Sequence, residues 1–286
     1  MNKPLLAIIF IMLLSNFICA QNSPLSGYGS SSVIEEISSD YGSSYKIHIT
    51  LPPNYDSLKT YKSIYYLDAW WLSDIVKGAN ALNYLAGHTE AVILIGVSID
   101  GDQNAWHQHR NYDYTPSPYN IERMKISMSG GTALMNDETT GNGPLFYEFL
   151  KDSLIPFIES KYKCDSSSRT LLGHSLGGLF GYYALMSQDY TFMNYILLSP
   201  SLWWNKSEFI NESAIKNISK PVQVYFAYGS SENILITKSN KRAIGLIKLV
   251  ANDNIHFINK TFEGLNHNSI LPSAIYDSIN ELYPLK

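Results

Sequence analysis

The stretch Arg169-Thr-Leu-Leu-Gly-His-Ser-Leu-Gly-Gly-Leu-Phe180 decides the fold. Leu171-Leu172 is a short apolar lead-in, and a run of small and apolar residues follows Leu176. That order predicts a strand, a sharp turn and a helix. The turn carries Gly173-His174-Ser175-Leu176-Gly177, a G-x-S-x-G pattern. Glycines on both sides of the serine let strand and helix come close. The serine, on a strained turn, then presents its hydroxyl at the end of the sheet, beside a helix N-terminus. Ser175 is therefore the candidate nucleophile. The bland alternative is a glycine-rich turn after a buried strand.

Working outward, Tyr45–Leu51 alternates and reads as a strand ended by Pro52-Pro53, and Ser63–Asp68 reads as a more buried one. Leu72, Ile75, Val76, Ala79, Leu82 and Leu85 keep helical spacing. Ala91–Val97 is a run without polar side chains, rich in β-branched residues, as in a strand covered on both faces. Leu145–Ile158 and Leu176–Met186 are helical. Tyr195–Ser199, Val222–Ala227 and His256–Phe262 are strands. Helices over Ile244–Ala251 and Ser273–Leu282 complete the pattern. Alternation of strands and helices predicts an α/β fold, a mostly parallel central sheet with helices on both faces. Residues 100–142 are polar and aromatic and read as one long functional loop.

The chain has 286 residues, 45% hydrophobic and 16% charged, with a formal net charge of −4. That suits one globular domain and gives no basic surface for nucleic acid. Met1-Asn2-Lys3, the apolar run Pro4–Leu14 and Ile18-Cys19-Ala20 read as a secretory signal peptide over residues 1–20, with a single domain over 21–286. The apolar run is short for a membrane span, so none is expected after cleavage and the mature chain is secreted or periplasmic. Asn16-Phe17-Ile18 lacks the small residues of a lipid-attachment site, which disfavours a lipoprotein on Cys19. Cys164 is then the one cysteine of the mature chain, so no intrachain disulfide can form.

A serine hydroxyl needs a base to take its proton and a third group to orient that base. In the α/β-hydrolase order the acid and then the histidine follow the serine. Two histidines follow Ser175. His256 starts a strand, while His267 lies in the loop Phe262-Glu-Gly-Leu-Asn-His-Asn-Ser269 between the last strand and last helix, so His267 is preferred. Of the acids Asp189, Glu208, Glu212, Glu232, Asp253 and Glu263, Glu232 lies just beyond the end of a strand, where a carboxylate faces the same crevice. A Ser–His dyad is the alternative. Backbone N–H groups of Leu176 and of Ala69 or Trp70 are the candidates for an oxyanion hole.

The segments Tyr65–Trp70, Arg110–Pro116, Gly143–Leu150, Leu154–Glu159, Leu172–Gly178 and Ser199–Asn205 together resemble the esterase D / enterochelin-esterase-like family of serine hydrolases, from about Val33 to the C-terminus. The resemblance implies an α/β-hydrolase fold and carboxylic ester hydrolysis through an acyl-enzyme. Relatives include siderophore-trilactone esterases, feruloyl and acetyl esterases, formylglutathione hydrolases and mycolyltransferases. It also places the first oxyanion donor at Trp70, two residues after Asp68, with Ala69 standing where glycine is usual. Arg110 matches an arginine of siderophore esterases, and either holds an anionic substrate group or pairs with Asp113 to brace the long loop. His174 is a candidate substrate contact. Trp203 and Trp204 either line the pocket or pack beneath it.

His107, His109, Asp100 and Asp102 crowd one stretch but match no common zinc spacing, so no metal or other cofactor is expected. The expected partner is a small-molecule or saccharide ester, with oligomeric state left open. Acyl transfer to a sugar acceptor is a second reading, and a catalytically silent binding protein on the same scaffold a third.

Overall fold

The computed structural model describes residues 30–99, 101–120 and 136–285. The expected signal peptide and Asp100 lie outside the described residues. Among the described residues eight strands form one sheet: β1 (Ser31–Ser38), β2 (Ser44–Leu51), β3 (Tyr61–Tyr66), β4 (Val92–Ile99), β5 (Cys164–His174), β6 (Asn194–Leu198), β7 (Val222–Gly229) and β8 (Ile255–Phe262). Their spatial order is β1-β2-β4-β3-β5-β6-β7-β8. The β1–β2 and β2–β4 pairs are antiparallel, and every later pair is parallel. This is the expected α/β-hydrolase sheet.

Helices α1 (Ala69–Leu85), α2 (Gln103–Asp113), α3 (Gly143–Glu148), α4 (Ile155–Lys161), α5 (Leu176–Ser187), α6 (Trp204–Ser207), α7 (Glu212–Lys216), α8 (Ile234–Val250) and α9 (Leu271–Leu282) connect the strands. A π-helical segment, Phe149–Leu154, makes α3 and α4 one continuous rod. One face of the sheet is covered by α1 and α9 through Leu72, Val76, Ile275 and Ile279. The other is covered by α3–α4, α5 and α8 through Phe146, Leu154, Phe180 and Ile244. Strand β4 is buried along its whole length because Ile93, Ile95 and Val97 feed one core and Val92 and Leu94 the other.

Two elements depart from the sequence reading. The stretch expected to be a long loop from residue 100 holds α2. Asp102 starts it, accepting hydrogen bonds from the N–H groups of Asn104 and Ala105 at 3.0 Å each. Its inward residues, Trp106, Arg110 and Asp113, are mostly polar, so the apolar periodicity that marks most helices is missing. Strand β1 is the second. It lies at the sheet edge with Ile34 59% exposed, so it lacks a clean alternation. Among the described residues no helix is long and apolar enough to cross a membrane.

Candidate active site

Ser175 stands between β5 and α5 with φ 60° and ψ −115°, a conformation that costs energy for any residue with a side chain. The glycines around it are required by distance. A Cβ at Gly173 would sit 2.1 Å from the Gly177 carbonyl oxygen, and one at Gly178 would sit 2.9 Å from Pro200 Cα. Strand, turn and helix are therefore as close as backbones allow. The first helical bond of α5 runs from the Leu179 N–H to the Ser175 carbonyl at 2.9 Å, leaving the Leu176 N–H ahead of the ladder.

Glu232 and His267 arrive from neighbouring parallel strands, β7 and β8. His267 Nδ1 is 2.7 Å from Glu232 Oε2. The Glu232 carboxylate is fully buried and held on its other oxygen by the Gly229 N–H at 2.7 Å and by the Ser199 hydroxyl. An ionised carboxylate only accepts, so Nδ1 carries the proton and Nε2 is left as the basic nitrogen. The histidine loop lies directly on the end of β7. A Cβ at Gly229 would meet the Leu265 carbonyl oxygen at 2.2 Å, so only glycine fits there.

The His267 ring packs against the His174 ring with centroids 4.5 Å apart, which places it next to the residue preceding Ser175. His174 is itself buried, and its Nε2–H donates to the His267 carbonyl at 2.8 Å. A carbonyl only accepts, so this bond fixes the tautomer and leaves Nδ1 buried without a partner. Burial, with help from His267 and Arg110, pushes the His174 pKa well below the ordinary histidine value. The imidazole therefore stays neutral. His174, a candidate substrate contact, is turned inward, where its side chain holds the His267 loop.

Ser175 Oγ lies 3.3 Å from Ser201 Oγ, and the Ser201 N–H donates to the Ser175 carbonyl at 2.9 Å. The segment Ser199-Pro200-Ser201, directly after β6, thus touches Glu232 at one end and Ser175 at the other. These serines had no role assigned from sequence. Their signal was a Ser-Pro-Ser placed where a strand ends in the crevice.

Across the crevice, β3 leads into α1 through Asp68, which takes a left-handed φ of 59°. The Trp71 and Leu72 N–H groups reach the Asp68 carbonyl at 3.1 and 3.0 Å, so those of Ala69 and Trp70 precede the first helical bonds. A Cβ at Gly177 would lie 3.5 Å from the Asp68 carboxylate, which brings the starts of α1 and α5 together. Ala69 is accommodated because the left-handed residue is Asp68 and because Gly96 faces it. A Cβ on Gly96 would come within 2.7 Å of the Ala69 Cβ.

Arg110 pairs with Asp68 and not with Asp113. Its Nε lies 2.9 and 3.1 Å from the two Asp68 oxygens, and its Nη2 donates to the His174 carbonyl at 3.0 Å. Its side chain is 11% exposed. Asp113 instead accepts from Tyr45 Oη and Asn142 Nδ2, and its burial pushes its carboxyl up to about 6. Burial also raises the Asp68 carboxyl, and the Arg110 guanidinium and the Trp106 indole N–H at 3.1 Å act against that rise. Trp70 is 44% exposed and stacks on Trp106 at 5.5 Å. Trp204 is buried and donates to the Ser117 carbonyl at 3.2 Å, packing beneath the crevice, while Trp203 is partly buried at the start of α6. Asp102 is used as the α2 cap. Among the described residues no cluster of His, Cys, Asp or Glu could hold a metal.

A mostly parallel eight-stranded sheet with a strained serine turn is an α/β-hydrolase. Residues 38–269 match the model of the family described as "Putative esterase", and the chain belongs to that family. It is 31% identical to the ferri-bacillibactin esterase BesA of Bacillus subtilis over 143 residues, 47% of this chain and 50% of that protein. It is 33% identical to the siderophore enterobactin esterase of Emericella nidulans over 150 residues, 49% of this chain and 47% of that one. The matches span about half the length of these curated relatives. Among solved structures, the BES protein from Bacillus cereus superposes with TM-score 0.77 at 26% identity, covering 89% of this chain and 96% of that one. An IroE-like serine hydrolase from Shewanella oneidensis shares the fold, with TM-score 0.78 at 22% identity, covering 88% of this chain and 80% of that one.

Proposed function

We propose that this protein is an exported serine esterase that cleaves carboxylic esters through an acyl-enzyme, with siderophore esters as its substrate class. The observation that carries the reading is the buried Glu232 carboxylate on His267 Nδ1 beside the Ser175 turn. The siderophore esterases among its relatives support the substrate class.

His267 Nε2 takes the Ser175 proton as Oγ attacks the ester carbonyl. Negative charge builds on the carbonyl oxygen, where the N–H groups of Leu176 and of Trp70 or Ala69 receive it. The imidazolium is held by Glu232 and returns its proton to the leaving alkoxide. A water, deprotonated by the same nitrogen, then releases the acid and restores Ser175. In the resting protein the Ser175 hydroxyl faces Ser201 at 3.3 Å, a long contact for two hydroxyls.

The test is a hydrolysis panel on the mature chain beside Ser175→Ala, with short p-nitrophenyl esters, a catecholate trilactone, and acetylated and feruloylated sugars. The variant should lose turnover by on the order of 10⁴-fold or more at unchanged melting temperature. Turnover that survives Ser175→Ala would sink the mechanism. Preference for an acylated sugar over the trilactone would move the substrate class. Export is checked by the mature N-terminus, expected at Gln21.

A further inference from the structure

We propose that Arg110 is a positioning residue for the oxyanion hole, a clamp that holds the start of α1 in register with the Ser175 turn. The inference rests on the serine-esterase reading above. It assigns Arg110 no contact with substrate.

The clamp joins two pieces of backbone that must stay a fixed distance apart. One is Asp68, the left-handed residue that launches α1 and sets the path of the Ala69 and Trp70 N–H groups. The other is His174, whose carbonyl is one peptide unit from Ser175 and which itself holds the His267 loop. The Arg110 guanidinium spans both, with Nε on the Asp68 carboxylate and Nη2 on the His174 carbonyl. A planar fork is suited to this, since its donors point in fixed directions, whereas an ammonium is a point charge.

The surroundings fix the fork further. The guanidinium carbon lies 5.4 Å from the centre of the Trp106 ring and 5.8 Å from that of Tyr114. Both rings are tied to Asp68 as well. The Trp106 indole donates to its carboxylate, and the Tyr114 hydroxyl accepts from its backbone N–H at 3.1 Å. Asp68 is thus held at both main chain and side chain by α2 and its C-terminal cap. Nothing in this arrangement leaves the Asp68-bound or His174-bound edge of the guanidinium open to a substrate anion.

The experiment compares kcat and KM for two p-nitrophenyl esters, a neutral acetate and one carrying a free carboxylate on its acyl chain. The proteins are wild type, Arg110→Gln, Arg110→Lys and Trp106→Phe. A clamp predicts that Arg110→Gln lowers kcat about 10²-fold for both esters, the scale of a misplaced reacting group. KM should stay within about twofold, as for loss of a transition-state interaction. Arg110→Lys restores the charge but not the fork, so its kcat stays low. Trp106→Phe, which removes one hydrogen bond and keeps a ring, should cost about fivefold in kcat.

A rise in KM confined to the charged ester, with kcat intact, would make Arg110 an anion receptor and overturn the clamp. Recovery of wild-type kcat in Arg110→Lys would also overturn it. If Arg110→Gln does not fold, the Lys and Phe variants decide by the same criteria. A wild-type protein inert to both esters, with Ser175 unlabelled by a fluorophosphonate, would overturn the esterase reading itself, a result distinct from either outcome above.

Discussion

Glu232 and His267 follow neighbouring strands and meet because the sheet pairs β7 with β8. Ala69 and Trp70 take their position from an ion pair between Asp68 and Arg110, 42 residues apart. The two sides of the crevice therefore rest on different physics. On the acid–base side, backbone topology does the placing, and side chains refine it through the Gly229 N–H, the Ser199 hydroxyl and the His174 ring. On the oxyanion side strand β3 ends at Tyr66, and a buried charge pair from α2 holds Asp68 just beyond it. A buried pair of this kind costs desolvation on both partners, and losing one strands the other. Its presence makes sense where a backbone N–H has to be held to a fraction of an ångström.

The contrast can be broken by mutation, most forcefully at the base. His267→Ala should lower kcat by on the order of 10⁴-fold or more, and adding Glu232→Ala to it should change little, because acid and base act as one unit. Glu232→Ala alone should retain more activity than His267→Ala, by on the order of tens of times, since it acts only through the imidazole. Combining Glu232→Ala with Arg110→Gln tests how far the two sides are separate, since Arg110 holds the His174 carbonyl and His174 the His267 loop; a product of the two losses would show that this link carries little. Less-than-multiplicative loss, read from kcat/KM, would mean the two sides are one network. Ser199→Ala removes one donor from a buried carboxylate and should cost about tenfold in kcat, the scale of a hydrogen bond to a charged group. Unchanged kcat there would leave Gly229 as the sole support that matters.

The smallest expected effect is on stability against pH. The His174 pKa is depressed in the fold, chiefly by burial. The unfolded chain therefore binds a proton below the ordinary histidine value, near 6.5, while the folded chain does not, so acidification favours unfolding. Stability from this group is present above that value and is lost as pH falls through it. His174→Gln should flatten part of the drop in melting temperature between about pH 7.5 and pH 5. His48, held down to about 4, and His109, also lowered, keep their share of the slope in both proteins. An unchanged slope would mean His174 is reached by protons without unfolding.

How far the sequence could be read follows the same division. The strand–helix alternation and the serine turn were legible because each has a local signature, in periodicity or in glycine spacing. The pairing of Glu232 with His267 was legible because chain order in this fold dictates it. Arg110 was visible as a candidate, yet Asp68 was not among its expected partners: Asp113 is nearer in sequence, and an ion pair spanning 42 residues leaves no periodic trace. Helix α2 was hidden for a related reason, since the face it buries is Trp106, Arg110 and Asp113 and so looks like a surface. His174 sits inside the motif that marks the nucleophile, and its side-chain direction depends on a turn geometry that the motif does not spell out.

Strand β8 is the last strand of the sheet among the described residues, and it carries the loop that holds His267. Margins of sheets open more easily than their centres. In this protein, warming should therefore silence the enzyme before it melts: the last strand frays, His267 drifts from its carboxylate, and a nearly intact body remains around an idle serine.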